Sequence, residues 1–126
     1  MRTETSPRTV LTVDDSPTIR RMLECTLVEA GYEILQAADG EEGLAILETG
    51  TPDAIITDIN MPRLDGFGFI ERVRQQARFR STPILVLTTE NDVGRRDRAR
   101  CAGATGWIVK PFDPTKLVDA IRRVTA

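Results

Sequence analysis

Short apolar runs alternate with longer amphipathic stretches along the whole chain, and polar turns separate them. The clearest run, Ala54-Ile55-Ile56-Thr57, is too short for a helix and reads as a buried strand. It stops at a carboxylate, Asp58. Beyond it, Met61-Pro62 and Asp65-Gly66 mark a turn and the start of a new element. A strand that carries an acid to its carboxyl end places it where α/β sheets form ligand crevices.

The rest of the chain repeats this pattern. Val10–Val13 is a first apolar run, ending at Asp14-Asp15. Ser16 and Pro17 supply a helix N-cap and a first-turn proline. Ile19, Met22, Leu23, Leu27 and Ala30 then follow at helical spacing as one apolar face, and Gly31 ends the helix. Glu33–Ala37 reads as a second strand. Asp39-Gly40 opens a second helix burying Leu44 and Leu47, closed by Gly50-Thr51-Pro52. After the third strand, Phe67, Ile70, Val73 and Ala77 line the inner face of a third helix. Ile84–Leu87 forms a fourth strand ending at Thr88-Thr89. The spacing predicts a helix from Asn91 to Ala102, with a thin face of Val93, Ala99 and Ala102 among four arginines. Trp107-Ile108-Val109 is the fifth strand, ending at Lys110-Pro111, and the last helix begins near Pro114 and buries Leu117, Ile121 and Val124. This β-α alternation predicts an α/β fold, a parallel sheet with helices on both faces and right-handed crossovers. All the strands are short and apolar, as doubly covered strands should be.

Composition narrows the function. At 126 residues one domain is expected, with room for a core but none for a second domain. The net charge of −2 gives no footprint for nucleic acid, and no apolar stretch reaches membrane-spanning length. Residues 1–7 are polar, read as frayed, and lack a secretory pattern. Cys25 and Cys101 are too few for a disulfide framework, so a cytoplasmic protein with free thiols is expected. There is no histidine, which removes Ser-His-Asp and Cys-His catalysis and imidazole metal sites. Any chemistry falls to carboxylates, hydroxyls, lysine and a hard cation.

A parallel sheet would bring Asp14, Asp15, Asp58, Thr88 and Lys110 to one edge. Clustered carboxylates repel one another, and an oxygen-rich, histidine-free set suits Mg²⁺. With Thr88 as hydroxyl donor and Lys110 as cation, the set has the parts that stabilise a phosphoryl group in transfer, with Asp58 as nucleophile. Each residue also has a plainer role. Asp15-Ser16-Pro17 serves as a cap, Thr88 bonds its own turn, and Lys110 pairs with an acid. Taken together, four polar strand ends in this arrangement favour the site.

These residues resemble a known family. Val13-Asp14-Asp15-Ser16, the stretch from Thr57 to Gly66, Leu87-Thr88 and the stretch from Gly103 to Phe112 resemble response-regulator receiver domains, specifically the single-domain, CheY-type chemotaxis branch. The likeness covers residues 8–124. It implies a doubly wound, flavodoxin-like (βα)5 sheet in the strand order 2-1-3-4-5. It implies Mg²⁺ held by Asp14 and Asp15, one directly and the other directly or through water, with Asp58 and the Asn60 backbone carbonyl. It further implies that Asp58 accepts phosphate from a histidine kinase of the chemotaxis type. Thr88 and Lys110 would bind the phosphoryl oxygens, the Lys110–Pro111 bond would be cis, and Asn60 and Glu90 would tune dephosphorylation.

By the same resemblance, Thr88 and an aromatic on the fifth strand form the switch. That aromatic is Trp107, where chemotaxis members commonly carry tyrosine; it either turns inward on activation or is a partly buried packing residue. Thr89 stands where alanine is often found and is expected to narrow the acid pocket. The switch would alter the face formed by helix four, strand five and helix five, presented to the flagellar motor switch or another target. Arg95, Arg96, Arg98 and Arg100 offer that face an acidic-peptide site or are a solvated run. The expectation is a monomeric, phosphorylation-controlled binding module with no nucleic acid or membrane partner, and not a turnover enzyme. A stand-alone phosphorelay intermediate or kinase-regulating receiver comes next. An aspartyl-phosphate phosphatase and a phosphate-independent scaffold rank lower, because Asn60 replaces a phosphatase's second acid and the acid set is intact.

Overall fold

The computed structural model describes residues 8–89 and 93–125. The frayed start expected for residues 1–7, the helix start expected at Asn91 and the role expected of Glu90 fall outside them.

Five parallel strands form one sheet in the order β2-β1-β3-β4-β5. They are β1 (Thr9–Val13), β2 (Glu33–Ala37), β3 (Ala54–Thr57), β4 (Ile84–Thr88) and β5 (Gly106–Val109), each followed by a helix. The helices are α1 (Pro17–Glu29), α2 (Gly40–Leu47), α3 (Gly66–Arg74), α4 (Val93–Ala102) and α5 (Pro114–Thr125). This is the doubly wound α/β fold the alternation and the resemblance imply.

Strand side chains alternate between two cores, as the period of two requires. Leu11, Val13, Ile55, Ile84 and Val86 pack on one side with Leu47 of α2, Phe67, Phe69, Ile70 and Val73 of α3, and Ala99 of α4. Val10, Ala54, Ile56, Leu85 and Leu87 pack on the other with Leu23 and Leu27 of α1 and Leu117 and Ile121 of α5. The three central strands are therefore buried on both faces. The outer two are not: Glu33 is exposed and Ile34 to Gln36 are half-buried in β2, while β5 is half-buried and then exposed at Val109. The expectation of five doubly covered strands is corrected at both edges, where no neighbouring strand shields the flank.

Three helix assignments are also corrected. Met22 is exposed, because it lies off the stripe of α1 that meets the core, in which Leu23 and Leu27 are fully buried and Ile19 packs half-buried against them. Val93 is exposed at the first turn of α4. Ala77 is exposed in a separate 3₁₀ turn, Ala77–Phe79, and Phe79 takes the buried position instead. Arg74 holds that turn by donating to the carbonyls of Phe79 and Thr82, each at 2.7 Å. Leu44 and Val124 are half-buried and pack against the cores.

Candidate phosphoacceptor site

The carboxyl ends of β1, β3, β4 and β5 converge. Asp14 follows β1, and its amide donates to Ala37 at 3.1 Å, which keeps the chain in the sheet up to the acid. Its Oδ1 accepts the Ser16 amide at 2.9 Å, Arg20 donates to its carbonyl at 2.6 Å, and Ser16 caps α1 by accepting from Ile19 at 3.2 Å. Helix α1 thus begins where it does because two side chains in the Asp14–Ser16 turn take up orphan amides. Asp58 follows β3, its amide bonded to Val13 at 2.9 Å, and its Oδ1 accepts the Ile59 amide at 2.8 Å.

Lys110, one residue beyond β5, donates its amide to the Thr88 carbonyl at 2.8 Å. Its ammonium lies 3.0 Å from Asp14 Oδ2 and 3.5 Å from Asp58 Oδ2. The carboxylates of Asp14, Asp15 and Asp58 each offer an oxygen within 4.8 Å of the others. Asp14 and Asp58 are buried, whereas Asp15 is exposed at the rim. Thr88 is fully buried at the end of β4. Asn60 is exposed two residues past Asp58, and Thr89 is exposed beyond Thr88. The Lys110–Pro111 bond is cis.

The fold therefore gathers Asp14, Asp15, Asp58 and Lys110 within contact distance and brings Thr88 to the same edge. Burial first, and then the neighbouring Asp14 carboxylate, push the Asp58 carboxyl above its ordinary range; Lys110 and the Ile59 amide pull the other way without prevailing. Among the described residues, the half-buried Lys110 ammonium faces three carboxylates, which leaves the cluster short of positive charge. Asp14 Oδ2, buried, accepts no hydrogen bond from the described residues even though the Lys110 ammonium approaches it. A buried carboxylate oxygen paired to one ammonium keeps acceptor capacity, and beside two further acids it makes the donor set of a small oxygen-seeking divalent cation; the residues fit Mg²⁺.

Trp107 lies on β5, three residues before Lys110, and packs half-buried against the core shared with α3 and α4. Its indole N–H is buried without a partner among the described residues. The α4 arginines are more than a solvated run. Arg96 lies 5.6 Å from the centre of the Trp107 ring, Arg98 lies 4.1 Å from that of Phe67, and Arg100 sits 3.4 Å from Asp97.

Asp39 opens α2 as the sequence predicts, but the close approach at Gly66 and the pairing of Asp39 with Arg63 have no sequence signal. A Cβ on Gly66 would stand 2.2 Å from the Asp58 carbonyl oxygen, so only glycine lets the start of α3 fold back beneath the acid. Asp39 caps α2 by accepting the Glu42 amide at 2.9 Å and also pairs with Arg63 of the β3–α3 loop. The Asp39-x-x-Glu42 spacing was a readable capping signal; nothing local joins positions 39 and 63.

The family described as Response regulator receiver domain matches residues 10–122. The chain belongs to it. As a receiver domain it is similar to the Vibrio cholerae chemotaxis protein CheY4, with 47% identity, a TM-score of 0.91, and 94% of this chain and 99% of that one covered. It is also similar to the receiver domain of the Pseudomonas aeruginosa sensor histidine kinase PA1611, whose structure has a magnesium ion coordinated in the active-site cleft. That likeness is 30% in identity with a TM-score of 0.89, and covers 95% of this chain and 98% of that one. Among curated relatives, ycf27 of Porphyridium aerugineum, named as a probable transcriptional regulator, is 41% identical over 91% of this chain. This receiver chain spans 47% of that relative, about half its length. No helix among the described residues is long and apolar enough to cross a membrane.

Proposed function

We propose that this receiver domain takes a phosphoryl group on Asp58 from a partner histidine kinase, and that the resulting charge changes its affinity for a downstream protein. The observation that carries this reading is the convergence of Lys110 on both Asp14 Oδ2 and Asp58 Oδ2 at the edge of the sheet. Asp58 Oδ1 is occupied by the Ile59 amide, which leaves Oδ2, on the Lys110 side, as the nucleophile. That oxygen forms a bond to phosphorus as the phosphorus–nitrogen bond of the kinase phosphohistidine breaks, and the released imidazole takes a proton from solvent. Lys110 neutralises charge on the transferring oxygens, and the Thr88 hydroxyl supplies a further donor. When bound by Asp14, Asp15, Asp58 and the Asn60 carbonyl, Mg²⁺ offsets the acids' mutual repulsion and polarises a phosphoryl oxygen. Hydrolysis of the acyl phosphate returns Asp58, so the chain is a self-resetting switch with no outside substrate to turn over.

The likeness to CheY4 favours a chemotactic output, with the α4–β5–α5 face meeting the flagellar motor switch. The likeness to ycf27 favours a second reading, in which the same switch controls a transcriptional output. Phosphotransfer tests the core of the proposal. Incubated with a kinase carrying labelled phosphohistidine, the chain should strip the label within minutes, and EDTA should suppress the transfer. Label that stays on the kinase with Mg²⁺ present would contradict the reading. Capture of a motor-switch peptide only by beryllofluoride-treated protein would select the first output, and its failure would favour the second.

A further inference from the structure

Asp39 is buried at 1% exposure, yet it is part of a charge pair that faces solvent on its other side. Its Oδ1 caps α2 through the Glu42 amide, and its Oδ2 receives both Nε, at 3.0 Å, and the terminal nitrogen of Arg63. Arg63 adopts a left-handed backbone, φ 68°, which a residue with a side chain holds only where its surroundings impose it. Next to it, the Leu64 carbonyl accepts the Gly40 amide at 3.3 Å, and a Cβ at Gly40 would stand only 2.8 Å from that oxygen. The β3–α3 loop is thus pressed against the first turn of α2.

The other end of the loop leads to the acid. The Gly66 amide donates to the Ile59 carbonyl at 2.8 Å, and Ile59 is the residue whose own amide holds Asp58 Oδ1 at 2.8 Å. The Gly66 amide thus fixes the 59–60 peptide, and Gly66 also abuts the 58–59 peptide, where an added Cβ would stand 2.2 Å from the Asp58 carbonyl oxygen. Where the loop lies therefore sets how these two consecutive peptides are turned, and the N–H of the 58–59 peptide sets how the Asp58 carboxylate is turned. We propose that the Asp39–Arg63 pair is a positioning latch that clamps residues 59–65 to α2 and so orients Asp58 for cation binding and phosphoryl acceptance. The consequence for Asp58 chemistry rests on the phosphoacceptor reading above; the clamping of the loop does not. Arg63 is 66% exposed, so the latch is open to salt in a way the buried acids are not.

The test uses the full chain and the variants Asp39→Asn, Arg63→Gln, Arg63→Lys and the Asn/Gln double. Asparagine is as good an N-cap as aspartate, so Asp39→Asn removes the charge pair while keeping the start of α2. Amide exchange of residues 59–65 is followed without cation, Mg²⁺ affinity by calorimetry, and acyl-phosphate formation from a small phosphodonor by intact mass. Each single variant should speed loop exchange and weaken Mg²⁺ binding about threefold to tenfold, with phosphorylation slowed to match. The double should be no worse than the worse single, and Arg63→Lys should fall between, since an ammonium replaces the fork by a point charge. Raised salt should loosen the loop of the parent protein but not that of the double variant. Parent-like loop exchange and Mg²⁺ affinity in both single variants, or single effects that add in the double, would overturn the latch. If the parent protein itself binds no Mg²⁺ and takes no phosphoryl group, the phosphoacceptor reading fails, while the exchange data still decide the clamp.

Discussion

Asp58 combines two conflicting demands. It must be ionised to attack phosphorus, and it is placed where ionisation is disfavoured, by burial first and by Asp14 second. The sign of the pH dependence follows. A carboxyl whose folded pKa is raised contributes stability that is complete below its unfolded value and lost as pH rises through the folded value. Asp58→Asn removes that loss. Without cation, the variant should melt several degrees above the parent at neutral pH, and the gain should shrink toward zero below about pH 4. Thermal scans across this range check it; a variant less stable than the parent at neutral pH would show that the cluster is not strained by charge. Mg²⁺ should narrow the difference by stabilising the parent alone.

At the scale of elements, capping and packing set the geometry. Ser16, Asp39 and Asp65 each cap a helix through an amide three residues on, and each helix starts beside the sheet edge that bears the site. Gly66 and Gly31 make a direct comparison. At Gly31, φ is +98° and a Cβ meets nothing within 4 Å, so Gly31→Ala should cost about 1 kcal/mol through the backbone alone. At Gly66 an added Cβ strikes the Asp58 carbonyl, a backbone atom that cannot step aside, so Gly66→Ala should cost about 3 kcal/mol and also weaken Mg²⁺ binding. Denaturant titration of the two variants measures both, and equal costs would refute the close approach.

Much of this was readable in the chain. Glu33–Ala37 and Ala54–Thr57 fall where the apolar runs put them, and the strand-end acids follow from the runs' abrupt stops. Periodicity failed where tertiary contacts decide. Phe79 displaces Ala77 because Arg74 folds the chain into a new turn, and Met22 stays outside because the inward stripe of α1 runs through Ile19, Leu23 and Leu27. The Arg63–Asp39 pair joins residues on different βα units, and no local pattern encodes such a contact.

Across the whole molecule, the site and the proposed output face are joined by β5, which carries Trp107 at one point and leads into Lys110 at its end. Trp107 is the sole tryptophan, so its fluorescence reports on that link. Beryllofluoride with Mg²⁺ should shift its emission and its acrylamide quenching in the parent. In Lys110→Ala, phosphate should still be accepted, though more slowly, while the emission change is lost; an unchanged optical response in that variant would separate Trp107 from the site. The most direct measurement is intact mass with peptide mapping after treatment with Mg²⁺ and a small-molecule phosphodonor. One added phosphoryl group, mapped to Asp58 and absent from Asp58→Asn, is the expected result. A phosphoryl group found on any other residue, or retained in the variant, would contradict the account.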